Sequence, residues 1–201
     1  MNKIDKAFKQ IQRIDFVPFT KKDMAYLDSP LLIGYGQTIS QPGTVRMMLE
    51  WLDVQNGQKV LDIGSGSGWT SALLSSLVGN KGKVFAVEII PQLLEFGRKN
   101  CEKYELKNIE FHLATKNVYG LPELAPFDRI LVSAEAKDLP LEIIDQLKIG
   151  GKMVIPVKND ILEIIKSSFC LSLAAIASKV AELECPDMAI TSFMPILLRK
   201  L

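Results

Sequence analysis

At 201 residues, with 48% hydrophobic and 23% charged side chains, the chain suits a single domain with a sizeable buried core. Lys and Arg number 24 against 23 Asp and Glu, and a net charge of +1 offers no electrostatic footprint for nucleic acid or an anionic membrane. Three cysteines, Cys101, Cys170 and Cys185, have neither the even count nor the close spacing of a disulfide framework or a zinc site, so buried thiols and no metal centre are expected.

The stretch Met1 to Arg13 is charged and lacks the apolar core of a signal peptide, from which a cytoplasmic location is expected. Residues 2 to 13 carry a helical pattern that Phe16-Val17-Pro18 breaks. Thr20 to Ser40 reads as loop, with Asp28-Ser29-Pro30 and Gly34-Tyr35-Gly36 as turn signals. Pro42 suits the first turn of a helix reaching about Leu52, with Val45, Met48, Leu49 and Leu52 on one face.

Alternation follows: strand 59 to 63, helix 67 to 78, strand 83 to 88, helix 91 to 104, strand 109 to 113, strand 128 to 133, helix 140 to 148 and strand 152 to 157. That order predicts an α/β fold, a parallel, doubly wound sheet with helices on both faces. Gly150-Gly151 reads as a helix end ahead of the strand from Met153. Beyond residue 157, Ile161 to Ile165 reads as a strand, and Leu173, Ile176, Val180 and Leu183 have helical spacing. Ile190 to Leu198 reads as a closing strand. Phe169 to Ala177, the longest apolar stretch, is about half of what a membrane-spanning helix needs. With no internal repeat or linker, one domain is expected. Its regions are 1–52, 53–157 as a ligand-binding core, and 158–201.

Val60-Leu61-Asp62-Ile63-Gly64-Ser65-Gly66-Ser67-Gly68 is an apolar strand feeding a loop with glycine at every second position. Glycines there open φ values closed to other residues and leave no side chains between main chain and ligand. The dinucleotide fingerprint G-x-G-x-x-G is not met, because it needs glycine at Trp69 or Ser71. No G-x-x-x-x-G-K-[ST] occurs either. Twenty residues after Gly68, Glu88 ends the apolar run Val84-Phe85-Ala86-Val87, where an open α/β sheet places a carboxylate that holds ribose hydroxyls. Asp62 interrupts its own strand in the same way, and such carboxylates need a cation or several donors. A nucleoside ligand without a pyrophosphate is expected. The plainer alternative makes Asp62 a turn cap and Glu88 a solvated acid.

Further segments are Gly34-Tyr35-Gly36-Gln37-Thr38-Ile39-Ser40-Gln41-Pro42, Pro122-Glu123-Leu124-Ala125-Pro126-Phe127-Asp128, Asp145-Gln146-Leu147-Lys148-Ile149-Gly150-Gly151 and Val154-Ile155-Pro156-Val157. With Val60 to Gly68, and in this order, they resemble the protein-L-isoaspartate O-methyltransferase family, within the S-adenosylmethionine-dependent Rossmann-like methyltransferases. The match covers about residues 13 to 157 and resumes at Ser192-Phe193-Met194-Pro195-Ile196-Leu197; its most specific part is the loop 34 to 42.

The resemblance implies a doubly wound, mostly parallel Rossmann-like methyltransferase sheet with an antiparallel C-terminal strand. It implies S-adenosyl-L-methionine as cofactor and methyl transfer to the free carboxylate of L-isoaspartyl residues in damaged proteins. Isoaspartyl-containing proteins or peptides would be the partners of a monomer, with no nucleic acid or membrane partner. Ser40 would lie beside the acceptor carboxylate with Thr38 in support. Gly64, Ser65, Gly66 and Gly68 would border the methionine part, Asp62 its amino group indirectly, and Glu88 the ribose. Ile89, Lys116 and Asn117 would complete the cofactor residues. Ser40 also stands two residues ahead of Pro42, where serine assists a helix start. The chemistry asks little of side chains, because a carboxylate of pKa about 4 is already ionised at neutral pH.

Two departures stand out. Where the family usually carries Gly-Asp-Gly after the third core strand, Thr115-Lys116-Asn117 stands here, counted back from Gly120. Lysine only donates, so it cannot accept from an adenine amino group as aspartate does; the Asn117 amide oxygen is the remaining acceptor. Ser167 to Asp187 does not resemble the family's C-terminal region. Two alternatives therefore stand beside the first reading, namely another methyl acceptor on the same scaffold and a non-catalytic relative with impaired cofactor binding. His112, the only histidine, falls on an apolar strand and is expected to be packed rather than catalytic. Trp69 is expected to pack its helix against the sheet.

Overall fold

The computed structural model describes residues 1–167 and 196–200. Helix α1 (Lys3–Gln10) opens on a capping box, in which the Asn2 side chain accepts from the Asp5 N–H and the Asp5 carboxylate accepts from the Asn2 N–H. A 3-10 turn, Arg13–Phe16, then carries the chain to Pro18. The stretch expected as loop contains structure: a 3-10 turn over Phe19–Met24, then strand β1 (Leu31–Gly34) paired antiparallel with β2 (Gln37–Ile39). Gly34-Tyr35-Gly36 makes the reversal, all three at positive φ. Helix α2 (Pro42–Leu52) buries Val45, Met48, Leu49 and Leu52, the face its spacing predicts.

The alternation yields β3 (Lys59–Ile63), α3 (Trp69–Val78), β4 (Lys83–Glu88), α4 (Pro91–Glu102), β5 (Ile109–Leu113), β6 (Phe127–Val132), α5 (Leu141–Asp145), β7 (Leu147–Val157), β8 (Asp160–Lys166) and β9 (Ile196–Lys200). Seven strands form one sheet in the order β5-β4-β3-β6-β7-β8-β9. From β5 to β7 the neighbours are parallel, and β8 and β9 add antiparallel. The winding reverses between β3 and β6, which opens a crevice at their carboxyl ends.

Strand alternation sends Val60, Val84, Leu131 and Val154 to one face, where α1 to α4 pack. Leu61, Phe85, Ile130 and Met153 meet α5 and the segment around Leu121 on the other. Two expectations change. Helix α5 is shorter than 140 to 148, and Gly150-Gly151 lies inside β7 instead of ending a helix. The step from Phe127 to Arg129 on β6 faces the step from Leu147 to Lys152 on β7, so the extra residues bulge out through Gly150 at φ 78°. Trp69 lies in the buried cluster that holds Val60 and Val84, and its ring also meets Phe8 edge-on at 5.5 Å while its indole N–H donates to the Ile11 carbonyl. His112 leans on Phe85, with ring centroids 6.0 Å apart.

The helical spacing from Leu173 to Leu183, the apolar run from Phe169, Cys170, Cys185 and Ser192 to Pro195 lie outside the described residues, and the closing strand is described only from Ile196. Among the described residues no helix is long and apolar enough to cross a membrane.

Candidate functional site

A cleft of about 1240 Å³ opens at the carboxyl ends of β3, β4 and β6, bounded on one side by the β1–β2 hairpin. Its lining includes Gly64, Gly66, Glu88, Ile89, Lys116, Asn117, Thr38 and Ser40, which the chain separates and the fold brings together.

Glu88 is 6% exposed, and three backbone N–H groups hold its carboxylate. Ile89 and Ile90 donate to one oxygen at 2.8 and 2.9 Å, and Gly66 donates to the other at 2.8 Å. The acid therefore ties the glycine loop to the tip of the neighbouring strand; it is not a solvated side chain. The loop is tied on its far side too. A Cβ on Gly68 would lie 2.8 Å from the Gly97 carbonyl oxygen, and one on Gly97 would lie 3.0 Å from the Gly66 carbonyl oxygen, so loop and α4 meet backbone to backbone. Asn100 adds an amide N–H to the Ser67 carbonyl.

Asp62 and Gly68 lie beneath the cleft and do not line it. Asp62 is fully buried, where its carboxylate accepts from the hydroxyls of Ser71 at 2.6 Å, Thr70 at 2.8 Å and Ser133 at 3.0 Å. Burial pushes its pKa up, against the pull of those three hydroxyls. Thr70 and Ser133 line a smaller cavity of about 30 Å³ together with Thr38, Ser40 and Ser65. Asp62 thus acts on the site through the hydroxyls it orients. Ser65 Oγ, also buried, has no hydrogen-bond partner among the described residues.

The segment carrying Ser40 is held by two residues that the motifs do not mark. Arg13, 5% exposed, donates from Nη1 to the carbonyls of Ala25 and Leu27, and from Nη2 to those of Ser29, Ile39 and Ser40. Asp28 accepts from the Gly43 N–H at 2.7 Å and from the Gln41 amide at 3.0 Å. Asp28 therefore caps α2, and Ser40 makes no capping hydrogen bond, so the helix-start role does not account for it. Asp28 had a signal in the sequence, an aspartate in an Asp-Ser-Pro turn; Arg13 had none, because Ile11-Gln12-Arg13-Ile14-Asp15-Phe16 mixes apolar and polar residues in equal number.

Lys116 and Asn117 are exposed on the cleft wall, with Asn117 at φ 63°. Gln146 braces that wall, donating to the Tyr119 carbonyl and accepting from the Leu121 N–H. Ile89 is 72% exposed beside Glu88. His112 is absent from the cleft lining.

The family model described as protein-L-isoaspartate(D-aspartate) O-methyltransferase matches residues 1–171. A relative from Fervidobacterium nodosum named protein-L-isoaspartate O-methyltransferase is 44% identical over 164 residues, 82% of this chain and 82% of the relative. One of the same name from Methanopyrus kandleri is 47% identical over 156 residues, 78% and 69% of the two chains. Among solved structures, a protein-L-isoaspartate O-methyltransferase superposes with a TM-score of 0.73 at 31% identity; the match covers 84% of this chain and 56% of that one. A chain from Plasmodium falciparum in complex with S-adenosyl-L-homocysteine shares the fold over all of this chain and 87% of its own, with a TM-score of 0.77 at 22% identity.

Proposed function

The chain belongs to the protein-L-isoaspartate(D-aspartate) O-methyltransferase family, and from that premise we infer its reaction: it transfers the methyl group of S-adenosyl-L-methionine to the free carboxylate of L-isoaspartyl residues in damaged proteins. When bound, the cofactor supplies a methyl group on a sulfonium that departs as a neutral thioether.

The residues present fit that cofactor. A carboxylate has about four lone-pair sites, and Glu88 uses three of them on backbone N–H groups, which leaves acceptor capacity for a ribose hydroxyl. The buried, unpartnered Ser65 hydroxyl and the bare main chain at Gly64 and Gly66 suit the polar methionine end. Ile89 offers an apolar face to the adenine ring. Lys116 can only donate, so acceptance from the adenine amino group falls to Asn117.

In this reading the Ser40 hydroxyl donates to the acceptor carboxylate, and Thr38 supports it. No residue has to take a proton, because the carboxylate is ionised at neutral pH. Opposite charges cancel on the way to the transition state, so the protein contributes alignment and exclusion of water. The hairpin serves the second need: Ile33 Cδ1 sits 3.3 Å from where a Cβ on Gly66 would be, which lays an apolar side chain over the glycine loop. Cys101 is a buried free thiol, which suits a reducing compartment such as the cytoplasm.

The observation that carries the reading is that Glu88 and Ser40 line one cleft with the glycine loop between them. Calorimetry with S-adenosylhomocysteine and methylation of an isoaspartyl peptide beside its aspartyl twin test it. The wild type is expected to bind the cofactor product and to methylate only the isoaspartyl peptide. Ser40→Ala should lower turnover by at least about tenfold with cofactor affinity intact. Glu88→Ala should weaken that affinity by about ten- to a hundredfold. A folded wild type that binds no S-adenosylhomocysteine at millimolar concentration would overturn the reaction, and one that binds it but leaves both peptides unmethylated would overturn the acceptor.

A further inference from the structure

Arg13 joins the two halves of the site through one planar group. On one edge its terminal nitrogens collect five carbonyls from the segment Ala25 to Ser40, among them Ser40 at 3.0 Å. Its guanidinium carbon also lies 5.5 Å from the centroid of the Trp69 ring. Trp69 is the first residue of α3, directly after Gly68, and is 2% exposed. The guanidinium therefore touches the segment that ends in the acceptor-side serine and the helix that begins where the glycine loop ends. Charge-assisted donation to several carbonyls in a fixed plane is something arginine does and lysine cannot. Nε is buried without a partner among the described residues, so the fork is oriented by its two outer nitrogens and by the ring.

We propose that Arg13 is a positioning residue for methyl transfer, holding the Ser40 segment in register with the glycine loop so that the acceptor carboxylate meets the methyl group in line. The proposal rests on the role given to Ser40 above. Arg13 does not line the cleft, so it acts on turnover through the groups it holds, of which Ser40 is the one placed beside the acceptor.

Arg13→Lys keeps the charge and loses the fork, so it should lower kcat for an isoaspartyl peptide by about tenfold or more, the scale of effect that small misplacements of reacting groups produce. S-adenosylhomocysteine affinity should stay within about twofold, since Glu88 and the adenine wall are untouched. The decisive measurement repeats Arg13→Lys in a Ser40→Ala background. If Arg13 works through Ser40, the second substitution should cost at most about twofold more, a strongly non-additive pair. An unchanged kcat in Arg13→Lys overturns the proposal, as does an equal loss in both backgrounds. Ser40→Ala that leaves methylation intact overturns the role of Ser40 itself, and so separates that failure from one of Arg13 alone. Where Arg13→Lys does not fold, Arg13→Ala is assayed with millimolar methylguanidinium: restored turnover supports the proposal, and a folded protein whose turnover stays low overturns it.

Discussion

Asp62 and Glu88 end adjacent strands and are both buried, yet they meet different donors. Glu88 faces three backbone N–H groups, whose direction the main chain fixes. Asp62 faces three hydroxyls, which can rotate to accept instead of donate, and burial raises its pKa. A raised native pKa means that the folded chain holds this proton more firmly than the unfolded chain. The contribution of Asp62 to stability is thus fullest below its ordinary value near 3.8 and shrinks as pH rises through the raised one. The stability difference between the wild type and Asp62→Asn should therefore move in favour of the variant from pH 4 towards pH 7. Paired thermal melts across that range check the sign, and a difference that grows for the wild type would contradict it. Both acids could be picked out of the sequence, since a carboxylate at the end of an apolar strand demands donors. Which donors answer could not, because Ser133 directly follows β6, 71 residues away from Asp62 in the chain.

The segment between Pro18 and Pro42 shows what local patterns conceal. Its glycines and prolines announce turns, but the hairpin is only four and three residues per strand, too short for alternation to register. What orders it is the wrap around Arg13 and the cap that Asp28 provides to α2, both contacts between residues distant in sequence. The Gln41 amide, then the Gly43 N–H, hold the Asp28 carboxyl below its usual pKa range. A lowered native pKa gives stability that is present above the ordinary value near 3.8 and is lost as pH falls through the native one. Asp28→Ala should lower the melting temperature at pH 6, and the gap to the wild type should close on acidification below about pH 4, which melts at stepped pH would read directly. A gap independent of pH would mean that the carboxylate charge is not what caps the helix. The bulge in β7 was hidden for a similar reason: Gly150-Gly151 looks like a helix end until the register with β6 shows five steps matched to two.

The parallel, doubly wound sheet was readable because β and α segments alternate, whereas the strand order, and with it the crevice where the winding reverses, comes from the fold. The wall that carries Lys116 and Asn117 is the part that departs from the family pattern, and its effect on binding is an energetic question that ligand linkage answers for the native state as one unit. A ligand that binds only the folded chain stabilises it by about 2.7 kcal/mol at one hundred times its Kd. For a chain of this size that raises the melting temperature by roughly 5–10 °C. S-adenosylhomocysteine at that excess should produce such a shift in the wild type and a smaller one in Glu88→Ala at the same concentration, about half for a tenfold loss of affinity and about 1–2 °C for a hundredfold loss. Lys116→Asp puts an acceptor where the chain carries a donor, on a wall already braced by Gln146, so it should enlarge the shift at a fixed, subsaturating ligand concentration. A smaller shift in Lys116→Asp would mean that the lysine itself grips the ligand, and that Asn117 is not the group that reads adenine on this wall.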